Sequence, residues 1–121
     1  MQLKPVCISE KLEMFKDQWS PKIIAQVNDH HLKVVKFQGD FVWHKHDNTD
    51  EIFLVVSGTM RMDLRDGPVI VNAGELIVIP REVEHKPYAA KECHVLVIEQ
   101  EGTANTGNAG GSRTAPGDQW I

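Results

Sequence analysis

The chain has 121 residues, of which 41% are apolar, and its formal net charge is -4. This length suits one domain, and the apolar content is sufficient for a hydrophobic core, which excludes a chain that is disordered throughout. Lys and Arg are scattered among Asp and Glu instead of forming a basic stripe. Because a phosphate backbone is bound through clustered cations, we expect no nucleic-acid partner.

The sequence carries no sign of export or of membrane insertion. Residues 1–10 contain charges and a proline but no long apolar run, and no later run is long enough to span a bilayer. The two cysteines, Cys7 and Cys93, lack metal-type spacing and do not form a disulfide framework. We therefore expect a cytoplasmic protein with two reduced thiols and no membrane partner.

A short helix is followed by a series of short strands. Ser9 to Trp19 carries apolar residues at helical spacing, with Ser9 as N-cap and Pro21 as the residue that stops the helix. Runs rich in β-branched residues, separated by Gly, Pro and Asn, predict strands at 23–27, 32–37, 41–46, 51–56, 59–65, 69–71, 76–79, 83–88 and 94–99. Many short strands of this kind indicate an all-β sandwich or barrel.

Three regions follow from these patterns: an N-terminal helix and arm (1–22), a barrel (23–101) and a C-terminal tail (102–121). Residues 102–117 are mainly Gly, Thr, Asn and Ala, and the chain closes on Trp120-Ile121. Two outcomes stay open for the tail. It is either a frayed terminus, or its last two residues dock on the barrel or on a second subunit.

The chemically informative stretch lies between His44 and Glu51. Residues two apart on a strand point to the same face, so His44 and His46 offer two imidazoles to one ion while Lys45 points away. A turn after His46 brings Glu51 back as an anionic oxygen ligand. Two imidazoles and one carboxylate that leave other coordination positions free are typical of non-haem iron and related ions.

The segment His44 to Gly58 resembles the first signature motif of the RmlC-like cupin superfamily, and the segment from Gly74 through Pro80 to His85 resembles the second. The chain is also similar to the small one-domain cupins called mannose-6-phosphate-isomerase-like, a likeness that extends into the tail at 102–107. The resemblance implies an all-β double-stranded β-helix, or jelly-roll, barrel. It also implies metal ligands at His44, His46, Glu51 and His85.

Five further residues are predicted to line the pocket beside these ligands. Phe53 and Val55 share the strand face of Glu51, and the other three are Met60, Met62 and His94. Each of them is equally consistent with plain core packing. No residue is assigned as the catalytic acid or base.

Three functions are compatible with one divalent Fe, Mn, Ni, Co or Zn ion in such a barrel. The first is a metal-dependent enzyme acting on a small polar molecule, such as a sugar or an organic acid, with isomerase-like or oxygenase-like chemistry. The second is a module that binds a small ligand or metal without turnover. The third is a structural dimer that holds no metal. Small cupins commonly form homodimers, so the resemblance also predicts a homodimer.

Overall fold

The computed structural model describes residues 2–121, which form one helix and seven strands. The elements are α1 (Ile8–Glu13), β1 (Lys22–Val27), β2 (His30–Asp40), β3 (Glu51–Ser57), β4 (Thr59–Leu64), β5 (Gly67–Asn72), β6 (Leu76–Ile79) and β7 (His85–Gln100). The predicted all-β class is confirmed. Among residues 2–121 there is no helix with the length and hydropathy needed to cross a membrane.

Strand β7 is the common wall of the barrel because it pairs with three other strands, all antiparallel. Its first residues pair with β4, where His85 lies opposite Leu64. Its second half lies between β2 and β3, with Val95 opposite Val35 on one side and Val55 on the other. Pairing at both ends of this 16-residue strand therefore holds the two halves of the barrel together.

Helix α1 is shorter than the sequence predicts. It ends at Glu13, well before Pro21, and its N-cap is Cys7 with no side-chain cap hydrogen bond. The predicted N-cap, Ser9, lies inside the helix. After the helix the backbone turns so that Trp19, at a φ of 60°, is buried against the barrel. Packing of this aromatic side chain thus outweighs continuation of the helix.

The predicted strand at 41–46 is replaced by a loop. Strand β2 continues to Asp40, through a register shift between Phe37 and Gly39. The backbone of the loop then pairs with the sheet through an isolated bridge between His44 and His85. The irregular backbone after Gly39, which has a φ of 77°, lets this segment cross the barrel end.

Two apolar clusters form the core. The larger lies inside the barrel and is built from inward-facing side chains, including Phe53, Met60 and Met62. The smaller lies between α1 and the outer face of β2 and β7, with Leu12 against Val34. Both clusters bury the alternating apolar residues that the strand pattern predicts.

The tail docks on its own barrel. Ile23 donates its N–H to the carbonyl of Gln119 at 2.7 Å, and Ile121 donates to the carbonyl of Ile23 at 3.1 Å. Trp120 lies edge-on to the ring of His31, and the side chain of Ile121 packs against the smaller core cluster. Of the two outcomes left open for the tail, docking on the barrel is the one observed.

Replacing Met60 by Ala should destabilise the protein by about 2–5 kcal/mol, because the side chain is completely buried and its loss leaves a cavity. Met14→Ala is the matched control: its side chain is 60% exposed, so the change should be within about 0.5 kcal/mol. Urea unfolding of both variants measures the difference. Equal midpoints would contradict the core described above.

Candidate metal centre

His44 and His85 are held side by side by their backbones. Each donates its N–H to the carbonyl of the other, at 3.1 and 2.9 Å. Because directly paired residues of antiparallel segments point to the same face, their rings lie together, with centroids 4.2 Å apart. His46 lies two residues beyond His44, and the three imidazoles each offer one nitrogen within 4.8 Å of the others.

Glu51 completes the group as the first residue of β3. Its Oε1 lies 3.2 Å from Nε2 of His46 and 3.2 Å from Nε2 of His85. The turn before Glu51 is tied to the loop that precedes β7, because Asp50 accepts a hydrogen bond from the backbone N–H of Arg81 at 2.9 Å. The structure thus brings all four predicted ligands together and buries them.

The lone pairs of this group face one another without hydrogen-bond partners. The rings of His44 and His85 place Nδ1 2.9 Å from the carbonyls of Val42 and Val83, respectively, which leaves Nε2 free to accept. Nε2 of His46, Nε2 of His85 and Oε1 of Glu51 are buried and unpaired. Buried polar atoms are normally satisfied, so convergent unpaired lone pairs fit a cation.

The protonation states of His44 and Glu51 also fit metal binding. Burial, followed by the neighbouring His85, lowers the pKa of His44 to about 4, so this imidazole is neutral at pH 7. Burial opposes ionisation of Glu51, but its contacts with Glu99, His46 and His85 outweigh that cost and hold the pKa of Glu51 well below its usual range. Neutral imidazole and ionised carboxylate are the ligating forms.

Sequence reasoning missed a further carboxyl group at this centre, that of Glu99. It is 2% exposed, and one of its oxygens lies within 4.8 Å of the ligand atoms of His46 and Glu51. Its Oε1 accepts from the ammonium of Lys33 at 2.9 Å, while its Oε2 is buried and unpaired. Strand alternation was the available signal, because Glu99 follows Val95 and Val97 on the inward face of β7.

A small cavity of about 30 Å³ lies beside these groups, with room for roughly two water molecules. Its polar wall consists of His44, Glu51, Glu99 and Asn105. The rest is apolar and comes from eight side chains: Trp19, Pro21, Val35, Phe37, Phe41, Phe53, Pro87 and Val97. Trp19 stacks on Phe37 and on Phe41, with centroids 4.3 and 4.7 Å apart.

Of the five residues predicted to line this cavity, the structure places Phe53 in the wall and the other four elsewhere. Val55 shares the inward face of Phe53 but lies deeper, and with Met60 and Met62 it fills the barrel core. His94 alternates with the inward-facing Cys93 and Val95, so it points outward and contacts Glu92 at 2.9 Å. The interior of the barrel beyond Phe53 is therefore filled by core side chains and is not part of the cavity.

The comparisons with known proteins agree with this architecture. Residues 32–99 match the model of the family described as "Cupin domain". An uncharacterized protein of Bacillus subtilis (strain 168), YdbB, is 33% identical over 79 residues, which are 64% of this chain and 70% of that protein.

Two crystal structures are similar over most of the chain. A cupin-2 domain containing protein from Shewanella frigidimarina is 45% identical, with a TM-score of 0.78 over 78% of this chain and 93% of that one. Protein NMB1881 from Neisseria meningitidis is 31% identical, with a TM-score of 0.74 over 80% of this chain and 99% of that one. The predicted jelly-roll barrel is thereby confirmed, and the chain belongs to the family of cupin domain proteins.

Proposed function

We propose that this chain holds one divalent transition metal through His44, His46, Glu51 and His85 and catalyses an oxygenase-like reaction of a small molecule beside it. The observation that carries the proposal is the convergence of buried, unpaired lone pairs in an apolar barrel. Three nitrogens and one carboxylate oxygen suit Fe, Mn, Ni, Co or Zn. Such an ion supplies Lewis acidity or a position at which dioxygen meets the substrate.

The cavity wall favours a substrate that is polar at one end only. Apart from the four predicted ligands and Glu99, whose Oε2 is unpaired, the hydrogen-bonding groups of the wall are already used. The amide of Asn105 donates to the carbonyls of Trp19 and Arg113 and accepts from the N–H of Ala115. The indole N–H of Trp19 donates to the carbonyl of Gln38. A sugar would leave its hydroxyls unpaired against this wall. A molecule whose oxygen groups lie at one end, beside the predicted ligands, would leave fewer of its polar atoms unpaired.

An isomerase-like reaction is the second candidate, and one observation favours it. Proton transfer needs a base beside the metal, and Glu51 is already assigned as a ligand. The unpaired Oε2 of Glu99 provides a carboxyl oxygen in the cavity wall. Oxygenase-like chemistry needs no such base, because metal and dioxygen carry the reaction. We favour the oxygenase because most of the cavity wall is apolar.

Protein purified without added metal should contain about one equivalent of a divalent metal by elemental analysis. His85→Ala should weaken metal binding at least 100-fold, because it removes a ligand and not merely a group that supports one. His30→Ala is the control, since its side chain is exposed and its ring contacts Asp29. Native protein without metal, or the same metal content in both variants, would overturn the proposal.

The substrate class is tested on the cobalt-loaded protein, whose visible spectrum reports ligands at the metal. We expect titration with catechol to perturb the spectrum at concentrations at least tenfold lower than fructose requires. With iron loaded, catechol should also cause oxygen uptake in an oxygen electrode. Tight catechol binding without uptake would favour a non-catalytic binding module. Preference for fructose would favour the isomerase.

We also propose that the chain forms a homodimer. Strand β6 pairs only with β3 among the described residues, and it exposes Leu76 and Val78, which are 57% and 50% accessible. An edge strand with no partner on one side and exposed apolar side chains can pair with another chain. The family resemblance predicts that this other chain is a second copy of the protein.

Sedimentation velocity should therefore show a dimer that Leu76→Lys converts to monomer, since the lysine places a charge on the proposed interface. Met14→Lys, at an exposed position next to α1, should leave the dimer intact. A monomeric wild-type protein would refute the proposal.

A further inference from the structure

The segment 102–121 crosses the loop that carries His44 and His46. Gly107 lies directly on that loop, since a Cβ built on it would meet the carbonyl oxygen of Lys45 at 2.2 Å and Nδ1 of His46 at 3.1 Å. Only glycine fits such an approach, and its φ of 52° is also in the left-handed region. The tail thus leaves no room for a side chain at Gly107 between its backbone and the ring of His46.

The next residue, Asn108, binds the loop through hydrogen bonds. Its Oδ1 accepts from the N–H of Lys45 at 2.9 Å, and its own N–H donates to the carbonyl of Lys45 at 3.1 Å. Lys45 lies between the two ligands His44 and His46. Asn108 therefore satisfies both backbone groups of the one residue that joins them.

Around these two residues the tail is held firmly. Thr106 is completely buried, and its hydroxyl pairs with that of Thr114 at 2.6 Å. The end of the tail is bound to β1 through the Gln119, Ile121 and Ile23 hydrogen bonds described above. A segment anchored on both sides of Gly107 can hold the loop in place.

Within the described part of the chain, the ring of His46 lacks the backbone carbonyl partner that orients the rings of His44 and His85. The rings of His44 and His85 are oriented by the carbonyls of Val42 and Val83. Among residues 2–121, His46 has no such partner at Nδ1; that side of its ring faces Gly107. Metal-binding histidines usually have a group behind them that fixes ring orientation.

We propose that Gly107 and Asn108 form a clamp that orients His46 toward the metal, which makes the C-terminal segment part of the metal centre. The inference rests on the proposed metal site. Both are positioning residues: they act through His46 and Lys45 and do not contact the ion. Metal affinity should therefore depend on the contacts of the tail.

The test compares Gly107→Ala with Gly110→Ala. Both glycines have left-handed backbones, with φ of 52° and 61°, so an alanine strains each in a similar way. A Cβ at Gly110 meets nothing within 4 Å. We expect the zinc dissociation constant, measured by competition with a chromophoric chelator, to rise about 10–100-fold in Gly107→Ala and to stay within about threefold in Gly110→Ala.

Asn108 provides a second measurement that does not depend on tolerance of a Cβ at Gly107. Asn108→Ala removes the acceptor for the Lys45 N–H and should weaken zinc binding about tenfold. Asn108→Asp retains an acceptor oxygen and should restore most of it. Recovery of zinc affinity in Asn108→Asp indicates that Asn108 acts by orienting the loop. Urea unfolding of the metal-free variants measures separately whether the substitutions lower stability.

The outcomes separate the clamp from the metal site. If wild-type protein binds zinc and His85→Ala does not, the site stands. Equal affinity in the two glycine variants, or no difference between Asn108→Ala and wild type, then overturns the clamp alone. Absence of zinc binding by the wild type overturns the site and the clamp together.

Discussion

The reciprocal backbone hydrogen bonds between His44 and His85 are the contact on which the rest of the centre depends. They join the loop after β2 to the start of β7, two parts of the chain that lie far apart in sequence. Once these residues are paired, their rings share one face. His46 and Glu51 then approach from the same loop and from the first position of β3. Every other feature of the candidate site is arranged around this bridge.

Burial explains why such a group suits a cation. Imidazoles and carboxylates that are removed from water lose hydration, and here much of the loss is not repaid by hydrogen bonds. Burial keeps His44 neutral. Burial and the neighbouring Glu51 also raise the pKa of Glu99 above its usual range, although Lys33 opposes the rise. A divalent cation would relieve both the crowding of the two carboxyls and the unpaired lone pairs.

The apolar wall of the barrel limits the number of hydrogen bonds that a bound molecule can form beside the predicted ligands. Aromatic and aliphatic side chains surround the predicted ligands, and the amide of Asn105 in the wall is held by the protein itself. Polar residues of the tail are also held by the protein: Asn108 binds the loop at Lys45, and Thr106 pairs with Thr114. Gly107 makes the close approach to the loop possible, so a stretch of low apolar content packs against the barrel without forming a core of its own.

Much of the site was predictable from local patterns. The two-residue spacing of His44 and His46 predicted that they lie together, and the resemblance of the segments around Gly58 and His85 to the cupin motifs predicted the barrel. The loop at 41–46 and the outward direction of His94 were not predicted, because register shifts and the choice of face depend on the neighbouring strands. Glu99 was missed because a charged residue directly after the apolar run 95–98 is typical of an exposed strand end. Its burial depends on the packing of the other strands around β7.

The sequence by itself determined the all-β class, since that follows from periodicity, and its resemblance to the cupin motifs predicted which four residues would be metal ligands. Only the tertiary structure decided which groups meet. It brought Glu99 and Lys33 to the ligands, closed the cavity with Trp19, and laid Gly107 against His46. These contacts join residues that are distant in the chain, and their geometry is set by how the strands and the tail pack, which no local pattern records.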